Sequence, residues 1–308
     1  MGLVLKMRRI KTVLGDISES NVGITLPHEH ICCFSEYLYQ MAGKRYLDKE
    51  KLLDCSVDYL KFLKERYNIE TLIDCTPINI GRDVDLLKKI SQKTGVNIIC
   101  STGFYHTEEP VIFNTTEEKL CEYIVSDAEN VNAGIIKCAV ENEDTSFFDE
   151  KLLRASSKAQ LILGLPMVIH TNANNKNGKK ALDIILSEGV NPNAITIAHL
   201  SDTDDLDYIR YFAECGCYIG FDRIYEDSSD EYIRQKTDAI MALCEMGYDN
   251  KILLSHDAQF FNGFDKKTDI IKKPRLNYIF DYILPKLPKE LSKKIVKDNV
   301  LMMLKCED

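Results

Sequence analysis

The chain has 308 residues, of which 45% are hydrophobic and 28% are charged. This composition is typical of a folded globular protein and argues against extensive disorder. The formal net charge of −9 disfavours nucleic-acid binding, since no concentrated basic block offsets it. No apolar run approaches the roughly 20 residues of a membrane span, so we predict neither nucleic-acid nor membrane partners.

Short apolar segments rich in β-branched residues alternate with longer amphipathic segments. This alternation is typical of a parallel sheet covered by helices. In chain order, we predict eight strands, at 23–30, 71–76, 97–103, 134–139, 166–171, 195–201, 217–222 and 252–257. The amphipathic segments predict helices at 48–66, 115–131, 204–215 and 230–247, and a last helix at 292–304.

Eight strand–helix units favour closure into a (β/α)8 TIM barrel, which typically needs about 250 residues. The alternative is an open doubly wound sheet, but such a sheet normally has a glycine-rich phosphate loop after its first strand. Here the first strand ends in His-Glu-His instead. We therefore predict an α/β fold with one TIM-barrel domain spanning residues 1–308, capped by a short N-terminal hairpin at 9–23.

Histidines mark the ends of several predicted strands. His28 and His30 are two residues apart on the first strand, so their side chains point to the same side. His170 ends the fifth strand, His199 ends the sixth, and Asp257 ends the eighth. The carboxyl ends of barrel strands converge on one face, where active sites lie. Imidazole and carboxylate groups meeting there suit zinc, manganese, iron or cobalt.

The two other histidines, His106 and His256, are not expected to take part in the chemistry. His256 adjoins Asp257 and should face the opposite way, into the packing, and His106 lies in a loop and is expected on the surface. Lys137 is unusual because it lies within an apolar strand, where a buried amine is costly. It either extends its amine to the barrel mouth or is carboxylated to a carbamate that bridges two metal ions. Position alone leaves both interpretations open.

Five motifs follow one another along the chain: TLPHEH, the lysine of GIIKCAV, IHT, AHLSDTDDLDY and LLSHD. In this order they resemble the phosphotriesterase-like lactonases of the amidohydrolase superfamily, over residues 10–304. The resemblance implies two divalent ions (zinc, manganese or cobalt) and a bridging hydroxide. It assigns six side chains to these ions: His28, His30 and Asp257 at the more buried ion, His170 and His199 at the more exposed one, and a carboxylated Lys137 between them.

The resemblance also implies roles for residues around the ions. Asp257 would accept the proton of the hydroxide and pass it toward Asp202. Arg223 and Tyr105 correspond to lactonase residues that stabilise the oxyanion or orient the substrate. The same resemblance suggests a homodimer.

These observations predict a metal-dependent carboxylic ester hydrolase that opens a lactone ring. Two alternatives use the same site: a phosphotriesterase and an acyl-homoserine lactone hydrolase. The chain contains no tryptophan, which disfavours a pocket for aryl triesters. A third alternative is a barrel that has lost its metals and acts as a binding protein.

A basic cluster follows Asp257 in this acidic chain. In barrels, the loops after strands 7 and 8 frequently form a phosphate site, and a guanidinium group matches phosphate oxygens. We therefore predict that Arg275, Lys266 or Lys267, and Tyr278 hold the phosphate of a sugar 1,4-lactone. An acyl-homoserine lactone would need an apolar channel for its acyl chain, and a lysine-rich loop argues against one. The alternative is an ordinary solvated loop.

The eleven cysteines are irregularly spaced, without a CxxC pair. Most lie in apolar runs, where cysteine acts as a small core residue. The apolar run at the start is too short for a signal peptide. We therefore predict reduced thiols in a cytoplasmic protein, and leave the role of the adjacent Cys32 and Cys33 open.

Overall fold

The computed structural model describes residues 9–107, 109–143, 145–224, 229–264 and 270–306. These residues form an α/β fold around a curled, all-parallel nine-stranded sheet, in the order 8-7-6-5-4-3-2-1-9. The strands are β1 (Ile24–Cys33), β2 (Ile69–Asp74), β3 (Asn97–Gly103), β4 (Ile135–Ala139), β5 (Met167–His170), β6 (Ile195–Ile197), β7 (Tyr218–Phe221), β8 (Ile252–Leu254) and β9 (Gln259–Asn262).

Helices connect the strands, as the alternating pattern predicts. They are α1 (Glu36–Ala42), α2 (Lys49–Tyr67), α3 (Val84–Thr94), α4 (Pro110–Phe113), α5 (Glu117–Val131), α6 (Phe147–Leu163), α7 (Gly178–Ser187), α8 (Leu206–Glu214), α9 (Asp230–Glu245), α10 (Lys289–Lys293) and α11 (Asn299–Lys305). A π-helical turn at Lys294–Asp298 joins the last two, and another lies at Ile279–Ile283.

Local capping explains several helix ends. The Asp48 side chain accepts a hydrogen bond from the backbone N–H of Lys51 at the start of α2, and Thr116 does the same for Lys119 at the start of α5. Both helices end at an asparagine in the left-handed conformation, Asn68 and Asn132. These ends agree closely with the predicted helices at 48–66 and 115–131.

The predicted eighth strand differs from the structure. β8 ends at Leu254, because the chain turns at Asp257, whose φ angle is 53°. The chain then forms β9, which pairs with β1. Two backbone hydrogen bonds join the connecting segment to β1: Asp257 N–H donates to His28 O and His30 N–H donates to Ala258 O, both at 3.0 Å. This curled sheet is compatible with a TIM barrel.

The N-terminal segment contains less regular structure than the predicted hairpin. Among the described residues it has one isolated antiparallel bridge, in which Ile10 and Ile17 exchange backbone hydrogen bonds of 3.0 and 2.8 Å. A 3₁₀ turn at Glu19–Asn21 then leads into β1.

A cluster of buried apolar side chains lies on the face of the sheet that also carries the candidate site. Ile135 of β4 and Val168 of β5 belong to it, together with Val300 and Met303 of α11. Because side chains alternate along a strand, Lys137 and His170 lie on the same face, two residues further along. The apolar cluster therefore forms the floor beneath the candidate site.

None of the eleven cysteines, all of which lie in the described ranges, forms a disulfide. Within those ranges, no helix combines the length and apolar character needed to cross a bilayer.

Candidate functional site

The glutamate between the two histidines of β1 anchors the segment that follows β8. His28 and His30 share one face, and Glu29 points the other way, where it is 1% exposed. The Glu29 carboxylate accepts hydrogen bonds from Ser255 Oγ at 2.8 Å and from Ala258 N–H at 3.1 Å. It thereby fixes the segment that carries Asp257 beside β1.

Both β1 histidines are anchored at Nδ1 and direct Nε2 toward the cluster. His28 Nδ1 lies 2.7 Å from Asp222 Oδ2, and its Nε2 lies 2.8 Å from Lys137 Nζ. His30 Nδ1 lies 2.8 Å from Thr76 Oγ1, and its Nε2 lies 3.0 Å from Asp257 Oδ1. Metal-binding histidines are commonly oriented in this way by a partner on the other ring nitrogen.

The two β1 histidines differ in their electrostatic surroundings. Burial, together with the positive charge of Lys137, lowers the pKa of His28 to about 4. Burial also acts to lower the pKa of His30, but Cys33 and the hydrogen-bonded Asp257 outweigh it and raise that pKa to about 10. A positive charge is therefore favoured beside His30 Nε2, and a divalent cation would supply it.

His170 and His199 form the second half of the cluster. His199 Nε2 lies 2.7 Å from His170 Nδ1, so these two nitrogens face each other. His199 Nδ1 lies 2.7 Å from Asp222 Oδ1, and His170 Nε2 lies 2.8 Å from Glu141 Oε2. Burial lowers the pKa of His170 well below its usual value, which favours the neutral imidazole that binds metals.

Asp222 links both halves of the cluster. Its two oxygens accept from His28 and His199, and Oδ1 also accepts from the His199 backbone N–H at 2.7 Å. Burial acts to raise the pKa of this carboxyl, but the two histidines outweigh it and hold the pKa well below its usual range. A single ionised carboxylate therefore orients one histidine of each half.

Lys137 lies in the middle of the cluster and is only 2% exposed. Its amine approaches His28 Nε2 at 2.8 Å and lines the cavity described below. The amine therefore faces the cavity from a buried position beside a histidine of β1.

A chain of charged groups runs outward from the cluster. Arg223 Nε donates to Asp257 Oδ2 at 2.8 Å, and its Nη1 donates to Asp202 Oδ2 at 2.9 Å. Burial acts to raise the pKa of Asp257, but His199, His30 and His28 hold it well below its usual range. Burial raises the pKa of Asp202. The two carboxylates thus differ in proton affinity, as in sites that move protons.

Three residues of this site have left-handed backbone conformations. His199, Arg223 and Asp257 have φ angles of 65°, 66° and 53°. None is a glycine, and each lies just after the end of a strand. Such conformations persist where surrounding contacts enforce them, and they occur often at functional sites.

The donor atoms have the chemistry and spacing that divalent metal ions require. Within the described ranges, two groups of three side chains bring their donor atoms within 4.8 Å of one another: His28 with His30 and Asp257, and His28 with His199 and Asp222. Nitrogen and carboxylate ligands each bind zinc at about 2 Å. The residues present therefore fit divalent ions.

The cluster forms one wall of a cavity of about 380 Å³. Tyr105 and Arg223 also line it, and the Tyr105 ring lies 5.2 Å from that of His170. Burial raises the pKa of Tyr105, so its hydroxyl stays protonated and can donate a hydrogen bond. Cys33 also contributes to the wall, whereas Cys32 lies outside this lining.

The surface position predicted for His106 is wrong. His106 is half-buried and lines the same cavity, with its ring 4.5 Å from that of Tyr105. Sequence reasoning missed it because the contacts that fix this loop come from distant segments. His256 is fully buried as expected, and its Nδ1 lies 2.7 Å from Glu29 Oε1.

The residues predicted to bind phosphate lie elsewhere. Exposed Arg275 and buried Tyr278 line a separate cavity of about 220 Å³ with Asn277 and Tyr282. The structure does not bring them together with the histidine cluster. Lys266 and Lys267 lie outside the described residues.

Two carboxylates at the site were not singled out from the sequence. Asp222 follows β7 directly, so the strand-end argument that identified the histidines also applies to it. Glu141 lies two residues beyond β4, and its contact with His170 depends on the register in which Ala139 pairs with His170. No local pattern predicts that contact.

The family model described as "Phosphotriesterase family" matches residues 8–308. The chain belongs to the phosphotriesterase family. An aryldialkylphosphatase from Saccharolobus solfataricus is 31% identical over 258 residues, which cover 81% of each chain. A phosphotriesterase homology protein from Mycobacterium tuberculosis is 27% identical and covers 89% of this chain and 88% of its own. An N-acetyltaurine hydrolase from Xenopus tropicalis is 26% identical, covering 81% and 84%.

Within this phosphotriesterase-family site, we expect Glu141 to control metal affinity through His170. Glu141 Oε2 accepts at the distal nitrogen of His170, and Oε1 accepts from Asn172 Nδ2 at 2.9 Å. Loss of such an orienting carboxylate typically weakens metal binding by about 10- to 100-fold. Glu141→Ala should therefore bind zinc more weakly in a calorimetric titration, and Glu141→Gln should lose less affinity.

The exposed Glu143 of the same loop provides a matched control, as Glu143→Gln. Equal losses in both variants, or unchanged affinity in Glu141→Ala, would contradict this role for Glu141.

Proposed function

We propose that this hydrolase of the phosphotriesterase family is a binuclear metal-dependent lactonase. The cluster that joins four histidines, Lys137 and Asp257 carries this proposal. We further propose that the sheet closes as a (β/α)8 barrel, with β8 and β9 together acting as the eighth strand. The hydrogen bonds that join residues 257 and 258 to β1 support this closure.

Two ions would be held by the chain's own side chains, and a carboxylated Lys137 would bridge them. His28, His30 and Asp257 would hold one ion, and His170 and His199 the other. Such ions supply a hydroxide nucleophile at neutral pH and polarise the carbonyl group under attack. Zinc, manganese and cobalt all accept these ligands.

Side chains of the protein transfer the proton and orient the substrate. Asp257 accepts the proton released as the nucleophile attacks, because it is ionised and lies at the centre of the cluster. The proton then passes to Asp202, whose pKa is raised by burial, or to the alkoxide that is released when the ring C–O bond breaks and the hydroxy acid forms. The Tyr105 hydroxyl and the Arg223 guanidinium donate hydrogen bonds that orient the ring or stabilise its oxyanion.

We propose a sugar 1,4-lactone as the substrate, either free or phosphorylated. The polar cavity wall formed by Tyr105, His106 and Arg223 supports a substrate that carries hydroxyl or charged groups. For a phosphorylated lactone, Arg275 remains a proposed phosphate ligand, and comparing both substrates in Arg275→Ala tests it.

A second candidate is an acyl-homoserine lactone. A neighbouring cavity of about 710 Å³ shares Ile80, Thr107 and Phe264 with the first. Ile78 and Val111 add to its apolar lining. An aliphatic chain could extend into it, which weakens the sequence argument against an acyl channel.

A substrate panel tests the proposed function. With two equivalents of zinc, manganese or cobalt, we expect kcat/KM for 1,4-lactones to exceed that for paraoxon by roughly 100-fold. The reason is that hydrogen-bonding groups in the cavity would remain unpaired against aryl and alkyl groups. Equal activity on paraoxon would favour the alternative that the chain is a phosphotriesterase. Purified protein without bound metal and without turnover would favour the binding protein.

A further inference from the structure

A small interior cavity lies beside Asp222, apart from the cavities described above. Its volume is about 10 Å³, and a single ordered water needs roughly 10–15 Å³. Every residue that lines it is buried, and the polar side chains among them are those of His28, Thr196, Asp222 and Ser255. The cavity therefore has room for one water molecule and for nothing larger.

Thr196 contributes an unpaired hydroxyl to this cavity. The residue is 4% exposed, and its Oγ1 has no hydrogen-bond partner within the part of the chain that the structure describes. Valine has nearly the same shape and suits a strand equally well, without burying a polar atom. A buried hydroxyl lowers stability unless it forms a hydrogen bond. The cavity is where Thr196 can find a partner.

Asp222 offers a matching acceptor. An ionised carboxylate has about four acceptor positions, and donors from the described residues occupy three of them. His28 Nδ1 donates to Oδ2, and His199 donates to Oδ1 through both Nδ1 and its backbone N–H. The remaining position is on Oδ2. Gly220 leaves this oxygen uncovered, since a Cβ atom at Gly220 would lie 3.1 Å from it.

Ser255 supplies a further acceptor. Its hydroxyl accepts from His28 N–H at 2.9 Å, and it donates either to His28 O at 3.0 Å or to Glu29 Oε1 at 2.8 Å. One lone pair of Oγ remains for another donor. The cavity thus offers one donor and two acceptors, and about three partners is typical of a buried water.

We propose that this cavity binds one water, which accepts from Thr196 Oγ1 and donates to Asp222 Oδ2 and Ser255 Oγ. Asp222 orients His28 in one half of the candidate site and His199 in the other. Thr196 is then a positioning residue that acts on both halves through the water and Asp222. The water site is independent of the substrate, and only its effect on metal affinity rests on the proposed metal centre.

Three variants and two measurements test the proposal. Thr196→Val removes the hydroxyl and keeps the shape, and Thr196→Ser keeps the hydroxyl. A crystal structure that shows ordered solvent should contain the water in wild type and in Thr196→Ser, but not in Thr196→Val. In a calorimetric titration, Thr196→Val should bind zinc about 3- to 10-fold more weakly, which is less than the 10- to 100-fold typical of losing a direct partner of a ligand. Thr196→Ser should bind zinc like wild type.

Thr71→Val is the matched control. Thr71 is also buried on a strand, but its Oγ1 donates to Val22 O. This variant should lower the Tm and leave zinc affinity unchanged.

The Tm of the metal-free protein gives a test that depends on sign. If the water pairs the hydroxyl, Thr196→Val loses hydrogen bonds and its Tm should fall by roughly 2–4 °C. If the hydroxyl is unpaired, its removal relieves the cost of burial and the Tm should rise.

A higher Tm in Thr196→Val, or a wild-type crystal structure without the water, would overturn the proposal. The same water in Thr196→Val would show that Thr196 does not hold it. Unchanged zinc affinity after loss of the water would exclude the positioning role. If no variant binds zinc but the water is present, the proposed metal centre fails and the water site stands.

Discussion

Replacing Asp257 by asparagine should abolish the proposed lactone hydrolysis without unfolding the protein. The amide can still approach a metal ion and accept from Arg223, but it cannot take up the proton. Loss of a positioned general base typically lowers kcat by about 10²- to 10⁴-fold. Steady-state kinetics at neutral pH measures this loss.

Asparagine is a well-matched replacement at this position. Asp257 has a φ angle of 53°, in a region that asparagine adopts more readily than most residues. Circular dichroism and metal analysis should therefore show the folding and the metal content of the wild type. Near-normal turnover in this variant would mean that Asp257 is not the base.

Truncating Lys137 to alanine should remove most activity, and short carboxylic acids should restore part of it. The side chain is buried at the centre of the cluster, next to His28, and the proposed carbamate supplies an oxygen to each ion. Propionate or a similar acid can occupy the space left by the deletion and bridge the ions in its place. Titrating the variant with such acids measures the rescue.

Lys151 provides the control, because it is another buried lysine and binds three backbone carbonyls. Replacing Lys151 by alanine should lower the free energy of unfolding. Any activity lost with it should not return when carboxylic acids are added. A high-resolution crystal structure with two ions at full occupancy and a bare Lys137 amine would exclude carboxylation.

The sequence was most informative where a single local rule determines position. The alternation of apolar and amphipathic segments predicts the strands and helices well, because each buried face leaves a periodic pattern. His28, His170 and His199 could be placed together because the ends of parallel strands meet at one edge. The structure brings these side chains together.

The remaining features depend on contacts between distant segments. His106 reaches the cavity because Asn79 fixes the backbone of Tyr105, and nothing near His106 in the chain indicates this. Glu141 meets His170 only because β4 and β5 pair in the register that sets Ala139 beside His170. The chain forms β8 and β9 as separate strands because β9 pairs with β1. The sequence of the eighth apolar segment does not indicate this pairing, so it predicted a single strand at 252–257.

The backbone of the site also has a consequence for evolution and engineering. His199, Arg223 and Asp257 each occupy a conformation that costs of order 1–3 kcal/mol for a residue other than glycine. Elsewhere, Asn68 and Asn132 occupy such positions with little strain. Thermal selection alone would therefore favour glycine at these three positions of the candidate site. The most readily stabilised versions of this fold would be inactive ones, so thermostability and turnover have to be selected together.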